Sequence, residues 1–196
     1  MKILGLTGSV GMGKSTAAAM FRRMRIPVFD ADQAVHRFLA PGGVAVAAVE
    51  QAFPGVAAGR GIDRRALGAR VFGDRAALAR LEAIVHPLVA SAERRFVQRA
   101  RAARRPLVVL DVPLLFESHG DRRCDAVVVV WAPPIIQRAR VLGRPGMTAA
   151  RFAFIRAQQM SDREKCRRAD FLVPSGLGRA LTWRRLARVV CALRAR

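Results

Sequence analysis

The chain has 196 residues, 52% of them hydrophobic and 25% charged, with a formal net charge of +21. That length suits one domain or at most two small ones, and the apolar content excludes a disordered chain. The longest apolar runs, 107–116 and 126–136, are too short or too interrupted to cross a bilayer, which takes about 20 residues.

Other class-level signals are plain. Met1 leads directly into a strand-like run, which leaves no room for a signal peptide, and Cys124, Cys166 and Cys191 show neither a CxxC nor a metal-ligand spacing. Reduced thiols and a cytoplasmic location are expected. Lysine stands only at positions 2, 14 and 165, so the basic residues are nearly all arginine, spread from Arg22 to Arg196 rather than gathered in a tail. With no Asn or Tyr in the chain, the excess reads as a compositional bias. A positive surface still attracts nucleotides and other polyanions, but no dedicated nucleic-acid role, membrane role or obligatory protein partner is expected.

In chain order, Lys2-Ile3-Leu4-Gly5-Leu6 reads as a short strand. Gly8-Ser9-Val10-Gly11-Met12-Gly13-Lys14-Ser15 follows and fits G-x-x-x-x-G-K-[ST], the phosphate-cradling P-loop. Glycines let backbone N–H groups approach phosphate oxygens, and a helix predicted from Lys14 to Arg23 adds its positive end. Gly8, Gly11, Met12, Gly13, Lys14, Ser15 and Thr16 are therefore the candidate triphosphate contacts. Lys14 is expected at the β- and γ-phosphates and Ser15 on Mg²⁺.

Residues 25–30 predict a second strand, ending at Asp30-Ala31-Asp32. Carboxylates just past a strand's carboxyl end lie on the ligand-binding edge of an open α/β sheet. Either acid could instead cap the next helix, with Asp32 the stronger functional candidate. Residues 34–105 predict a helical insertion without strands, with Asp63 capping 64–71 and Asp74 capping the next helix. A long helix is expected from Pro87 to about Ala103, with His86-Pro87 at its start.

Residues 106–111 predict a buried parallel strand whose closing Asp111 resembles a Walker-B acid for Mg²⁺. Pro113-Leu114-Leu115-Phe116-Glu117 follows, then a strand over 126–131 closed by Pro133-Pro134. A basic helix over 137–144 places Arg140 and Arg144 on one face, a second helix runs from Thr148 toward Gln159, and residues 169–176 give a last strand and loop. An amphipathic helix over 181–194 carries Leu186, Val189, Val190 and Leu193 on one side. The alternation predicts an α/β fold, a P-loop three-layer sandwich around a central parallel sheet of about five strands. One domain over 1–196 is expected, with the insertion at 34–105 and a helical lid at 137–166.

The chain resembles the dephospho-CoA kinase family. The resemblance is carried by Gly5-Leu6-Thr7-Gly8, Asp30-Ala31-Asp32, Arg65-Ala66-Leu67 with Val71-Phe72, His86-Pro87 and Pro113–Glu117. It continues through Gln137 with Arg140, Gln159, Ser161, Glu164-Lys165 and Ala169-Asp170. Ser9 and Met12 depart from the family's commoner P-loop residues, and Gly143-Arg144-Pro145 lacks an acid that often follows the lid arginine. The resemblance implies transfer of the ATP γ-phosphoryl group to the ribose 3′-hydroxyl of dephospho-CoA, with Mg²⁺. It implies catalytic roles for Lys14, Asp32 and Arg140, and an ATP contact at Arg144. Acceptor contacts are implied at Asp32, His86, Leu115 and Glu117, and Mg²⁺ at Ser15 with Asp32 or Asp111. Another small-molecule kinase of the nucleoside, nucleotide or shikimate type, or a nucleic-acid-associated ATPase, would share the P-loop.

Overall fold

The apolar runs become strands because each is long enough to be buried on both faces and too short for a helix. In the computed structural model, which describes residues 1–194, the chain opens with β1 (Lys2–Thr7), α1 (Lys14–Arg23), β2 (Val28–Asp30), α2 (Ala31–Leu39) and α3 (Val46–Ala52). Next come β3 (Ala57–Ala58), β4 (Gly61–Ile62), α4 (Arg64–Val71), α5 (Arg75–Ala102) and β5 (Leu107–Asp111). A 3₁₀ turn at Gly120–Arg123 precedes β6 (Ala126–Trp131), α6 (Pro134–Leu142) and α7 (Ala149–Ala157). The chain closes with α8 (Asp162–Arg168), β7 (Phe171–Pro174) and α9 (Arg179–Arg194).

Five strands form one sheet in the order β2-β5-β1-β6-β7. β1 runs parallel to β5, with Leu6 opposite Asp111, and parallel to β6, with Thr7 opposite Val129. β6 and β7 are parallel as well. The strands that follow β1 go to one side through β5 and to the other from β6. The loop leaving β1 therefore lies where the order reverses, the place at which open α/β sheets bind ligands. One sheet face, through Leu4, Leu6, Val109, Val128 and Val130, packs on Phe21 of α1 and Leu186 and Val190 of α9. The other face, through Val127 and Val129, packs on Leu115, Phe116, Met160 and Cys166. Helix, sheet and helix make the three layers.

Two compact units divide the chain: residues 1–29 with 99–196, and residues 30–98. The first holds the sheet. The second has its own core of Leu39, Val49, Phe53, Val56, Ile62 and Leu67.

Several elements differ from the sequence expectation. The insertion contains strands after all, because β3 and β4 pair antiparallel around the Gly59-Arg60 turn. Two residues each are too few to show an alternating pattern. Glu50 braces the hairpin, accepting from Gly55 N–H at 2.8 Å and Ala57 N–H at 2.6 Å. The long helix starts at Arg75 rather than Pro87, so Pro87 lies inside it. Proline normally interrupts a helix interior. Here Leu81 and Ile84 before it and Leu88 after it pack on the same cluster, and tertiary burial overrides the local signal. Asp74 heads this helix as expected, accepting from Ala76 N–H at 2.8 Å and Ala77 N–H at 2.9 Å.

β2 is shorter than the expected 25–30. Arg25 takes φ 58°, and Ile26 N–H returns to Phe21 C=O at 3.1 Å to close α1. α6 begins at Pro134, earlier than 137, with that proline in the first turn. α8 was not anticipated, although Ser161-Asp162-Arg163-Glu164 fits the capping-box spacing and Ser161 Oγ accepts from Glu164 N–H at 3.2 Å.

Candidate active site

The site is built at the switch point, where β1 turns into α1. Gly11 has φ 79°, and a Cβ there would stand 2.5 Å from Val141 Cγ2. Gly13 has φ 88°, and a Cβ there would stand 3.0 Å from Ser175 Oγ. Only glycine meets both the left-handed backbone and the close approach. α1 then starts at Lys14 with Gly13 as its cap residue, no side-chain cap and no acid in the first turn. Its free amides and dipole end remain available to an anion.

Lys14 Nζ stands 2.6 Å from Asp111 Oδ1, with the two side chains 13% and 2% exposed. β1 and β5 are neighbours with Leu6 opposite Asp111, so the ladder itself brings the acid to the P-loop lysine. Ser15 is exposed on the first turn of α1 and Thr16 half-buried. Among the described residues no cluster of three His, Cys, Asp or Glu side chains could enclose a metal. A site of one hydroxyl and one carboxylate still suits Mg²⁺, which keeps several waters and takes its other ligands from substrate phosphates.

The loop is held from its far side by late elements. Arg140, on α6, donates to Ser175 C=O at 2.8 Å, to Ser175 Oγ at 3.0 Å and to Gly11 C=O at 3.4 Å. Ser175 Oγ donates to Met12 C=O at 2.6 Å. Gln137 Nε2 donates to Val10 C=O at 2.8 Å. The Met12 side chain is 1% exposed, with Sδ accepting from Ala132 N–H at 3.1 Å. Ser9 Oγ donates to Asp162 Oδ1 at 2.6 Å, and Val10 N–H to Gln159 Oε1 at 3.1 Å.

Residues 8–16, Asp111 and Arg140 come together at this edge. Glu117 Oε1 accepts from Met160 N–H at 2.7 Å and lies 3.0 Å from Lys165 Nζ, a lysine only 1% exposed. One oxygen of Glu117 is thereby engaged inside the unit. Leu115 is fully buried in the core under the sheet, so its side chain packs. Arg144 is exposed in the turn after α6. Asp32, in the first turn of α2, and His86, on α5, are exposed residues of the 30–98 unit. Asp30 is the cap of α2, accepting from Gln33 N–H at 2.9 Å. Gln137, Gln159 and Lys165 belong to the motifs that carry the family resemblance, without an individual role, whereas Asp162 and Ser175 stand in no motif, and the fold brings Gln137, Gln159, Asp162 and Ser175 to the loop. Burial pushes the Cys166 thiol up, and the neighbouring Asp162 carboxylate pushes it further. No described helix is long and apolar enough to cross a membrane.

Comparison with known proteins finds relatives over most of the chain. The dephospho-CoA kinase family model matches residues 2–176. A dephospho-CoA kinase of Paramagnetospirillum magneticum is 66% identical over 165 residues, covering 84% of this chain and 78% of the relative. One from Rhizobium meliloti is 51% identical over 195 residues, covering 100% of both chains. A solved structure from Thermus thermophilus, 33% identical, superposes with a TM-score of 0.82 over 97% of this chain and 96% of its own.

Proposed function

The chain belongs to the dephospho-CoA kinase family, and from that premise we propose how its residues divide the work. The enzyme is a kinase of CoA biosynthesis that phosphorylates dephospho-CoA with ATP as co-substrate. The acceptor is taken to be the ribose 3′-hydroxyl and the products CoA and ADP. The observation that carries the reading is the glycine-cornered loop at the sheet's switch point, with Lys14 and an uncapped helix end facing one place.

Phosphoryl transfer needs little covalent help, and its catalysis is mostly positioning and charge stabilisation. Gly8, Gly11, Met12, Gly13, Lys14, Ser15 and Thr16 would cradle the triphosphate. Lys14 would leave Asp111 for the β- and γ-phosphates, exchanging one anionic partner for another. Ser15, with Asp111 or Asp32, would hold Mg²⁺, which when bound neutralises charge on the transferring group. Arg140 would stabilise the same charge from the lid, and Arg144 would contact ATP nearby. Asp32 would accept or orient the hydroxyl proton of the acceptor. The 30–98 unit, including His86, would bind the acceptor, and Glu117 would contribute through the segment it anchors. Lid closure over 137–166 would exclude water, so that ATP is not hydrolysed.

Steady-state kinetics of two variants test this division. Asp32→Asn is expected to lower kcat by about 10²-fold or more while ATP binding is retained. Arg140→Ala should lower kcat by about 10³-fold. An Asp32→Asn enzyme with unchanged kcat would remove Asp32 from the chemistry.

A further inference from the structure

We infer that Gln159 and Asp162 are positioning residues for the P-loop. The α7–α8 connection sets the loop's phosphate-binding shape through two side-chain hydrogen bonds. This inference rests on the reading that the loop binds the triphosphate of ATP.

Ser9 and Val10 are the two residues between the first and second loop glycines, and both are tied to this connection. Ser9 Oγ, on a residue 6% exposed, donates to Asp162 Oδ1 at 2.6 Å. Val10 N–H donates to Gln159 Oε1 at 3.1 Å, while Val10 C=O accepts from Gln137 Nε2 at 2.8 Å. Both polar backbone groups of Val10 are therefore fixed by side chains, and its amide is committed outside the phosphate cradle. The neighbouring loop amides are left to define the cradle.

The connection that supplies these acceptors is itself anchored. Met160 N–H, next in the chain after Gln159, donates to Glu117 Oε1 at 2.7 Å. Lys165 Nζ lies 3.0 Å from the same oxygen and is 1% exposed. Glu117 follows β5, so the anchor reaches the strand that also carries Asp111. Asp162 opens α8, with Ser161 as its cap, where the helix dipole favours a carboxylate. A negative charge close to a triphosphate site opposes the ligand. Its presence there is accounted for by the bond to Ser9. The serine and its acceptor form one local device.

The test compares Gln159→Ala, Gln159→Glu, Asp162→Ala and Asp162→Asn by KM for ATP, KM for dephospho-CoA, Tm and equilibrium binding of Mg-ATP. Each alanine variant should raise the ATP KM and weaken Mg-ATP binding by about three- to tenfold, the worth of one hydrogen bond. The acceptor KM should stay unchanged. Asp162→Asn keeps an acceptor oxygen and should restore ATP binding to within about twofold, whereas Gln159→Glu keeps the acceptor but adds a negative charge beside the loop and should recover ATP binding only in part. Alanine variants that bind ATP like the wild type overturn the inference. So do equal rises in both KM values, or a lowered Tm that the conservative variants share without recovering ATP binding. A wild-type protein that binds no Mg-ATP would instead defeat the reading of the loop itself.

Discussion

Lys14 and Asp111 form a pair whose two partners have different duties. Asp111 is almost fully buried and Lys14 Nζ stands 2.6 Å from it, so Lys14→Ala removes a buried ion pair's cation and should lower stability by about 3 kcal/mol. The double variant Lys14→Ala with Asp111→Asn should regain most of the stability and none of the activity. Chemical denaturation beside a turnover assay separates the two effects. Gly11→Ala is a sharper perturbation, because φ 79° and a 2.5 Å approach to Val141 Cγ2 leave no room for a methyl group. We expect a loss of about 1–3 kcal/mol together with loss of ATP binding. A Gly11→Ala protein with wild-type Tm and ATP affinity would show that the loop does not need glycine here. At this scale the P-loop residues were legible because their spacing is a local motif. Ser175 and Asp162 were not, since their partners lie 163 and 153 residues away.

Elements with both a pattern and a stop signal were read well from the sequence. β1, β5 and β6 carry continuous apolar runs, and Asp63, Asp74 and Thr148 cap helices where they were expected to. The failures have physical causes. Pro87 looked like a helix start, but the apolar residues on both sides of it are buried by one cluster, and the helix runs through. That leaves Ala83 C=O without its helical donor. Since Pro87 is exposed, Pro87→Ala sacrifices little packing and should raise Tm by several degrees, out of a proline penalty of about 3 kcal/mol. An unchanged or lowered Tm would mean the helix needs the proline's geometry. Asp74→Ala, removing the cap, should lower Tm by about 3 °C without altering the ATP KM. The pressure on Cys166 belongs to this scale too. Because its thiol is pushed up by burial and, further, by Asp162, thiolate forms only at a pH above that of an ordinary cysteine. Alkylation at pH 8 should therefore strike exposed Cys191 well before Cys166.

For the molecule as a whole, the parallel sheet is the reason the site exists. Its topology puts the loop after β1 and the carboxyl end of β5 at one place, and the chain's later helices close the loop from behind. Alternating strands and helices made this architecture legible, whereas the small hairpin in the 30–98 unit was too brief to leave a pattern. The net charge of +21 adds a long-range pull on anionic substrates, and the ATP KM should rise with ionic strength as that field is screened over about 10 Å. The central claim is that this loop drives phosphoryl transfer to dephospho-CoA. Its most direct test is ADP release from Mg-ATP by the purified protein, with and without dephospho-CoA, beside Lys14→Ala. The account predicts acceptor-dependent ADP release with CoA as the product, abolished in the variant. It is contradicted if dephospho-CoA gives no stimulation while another hydroxyl acceptor, or nucleic acid, does.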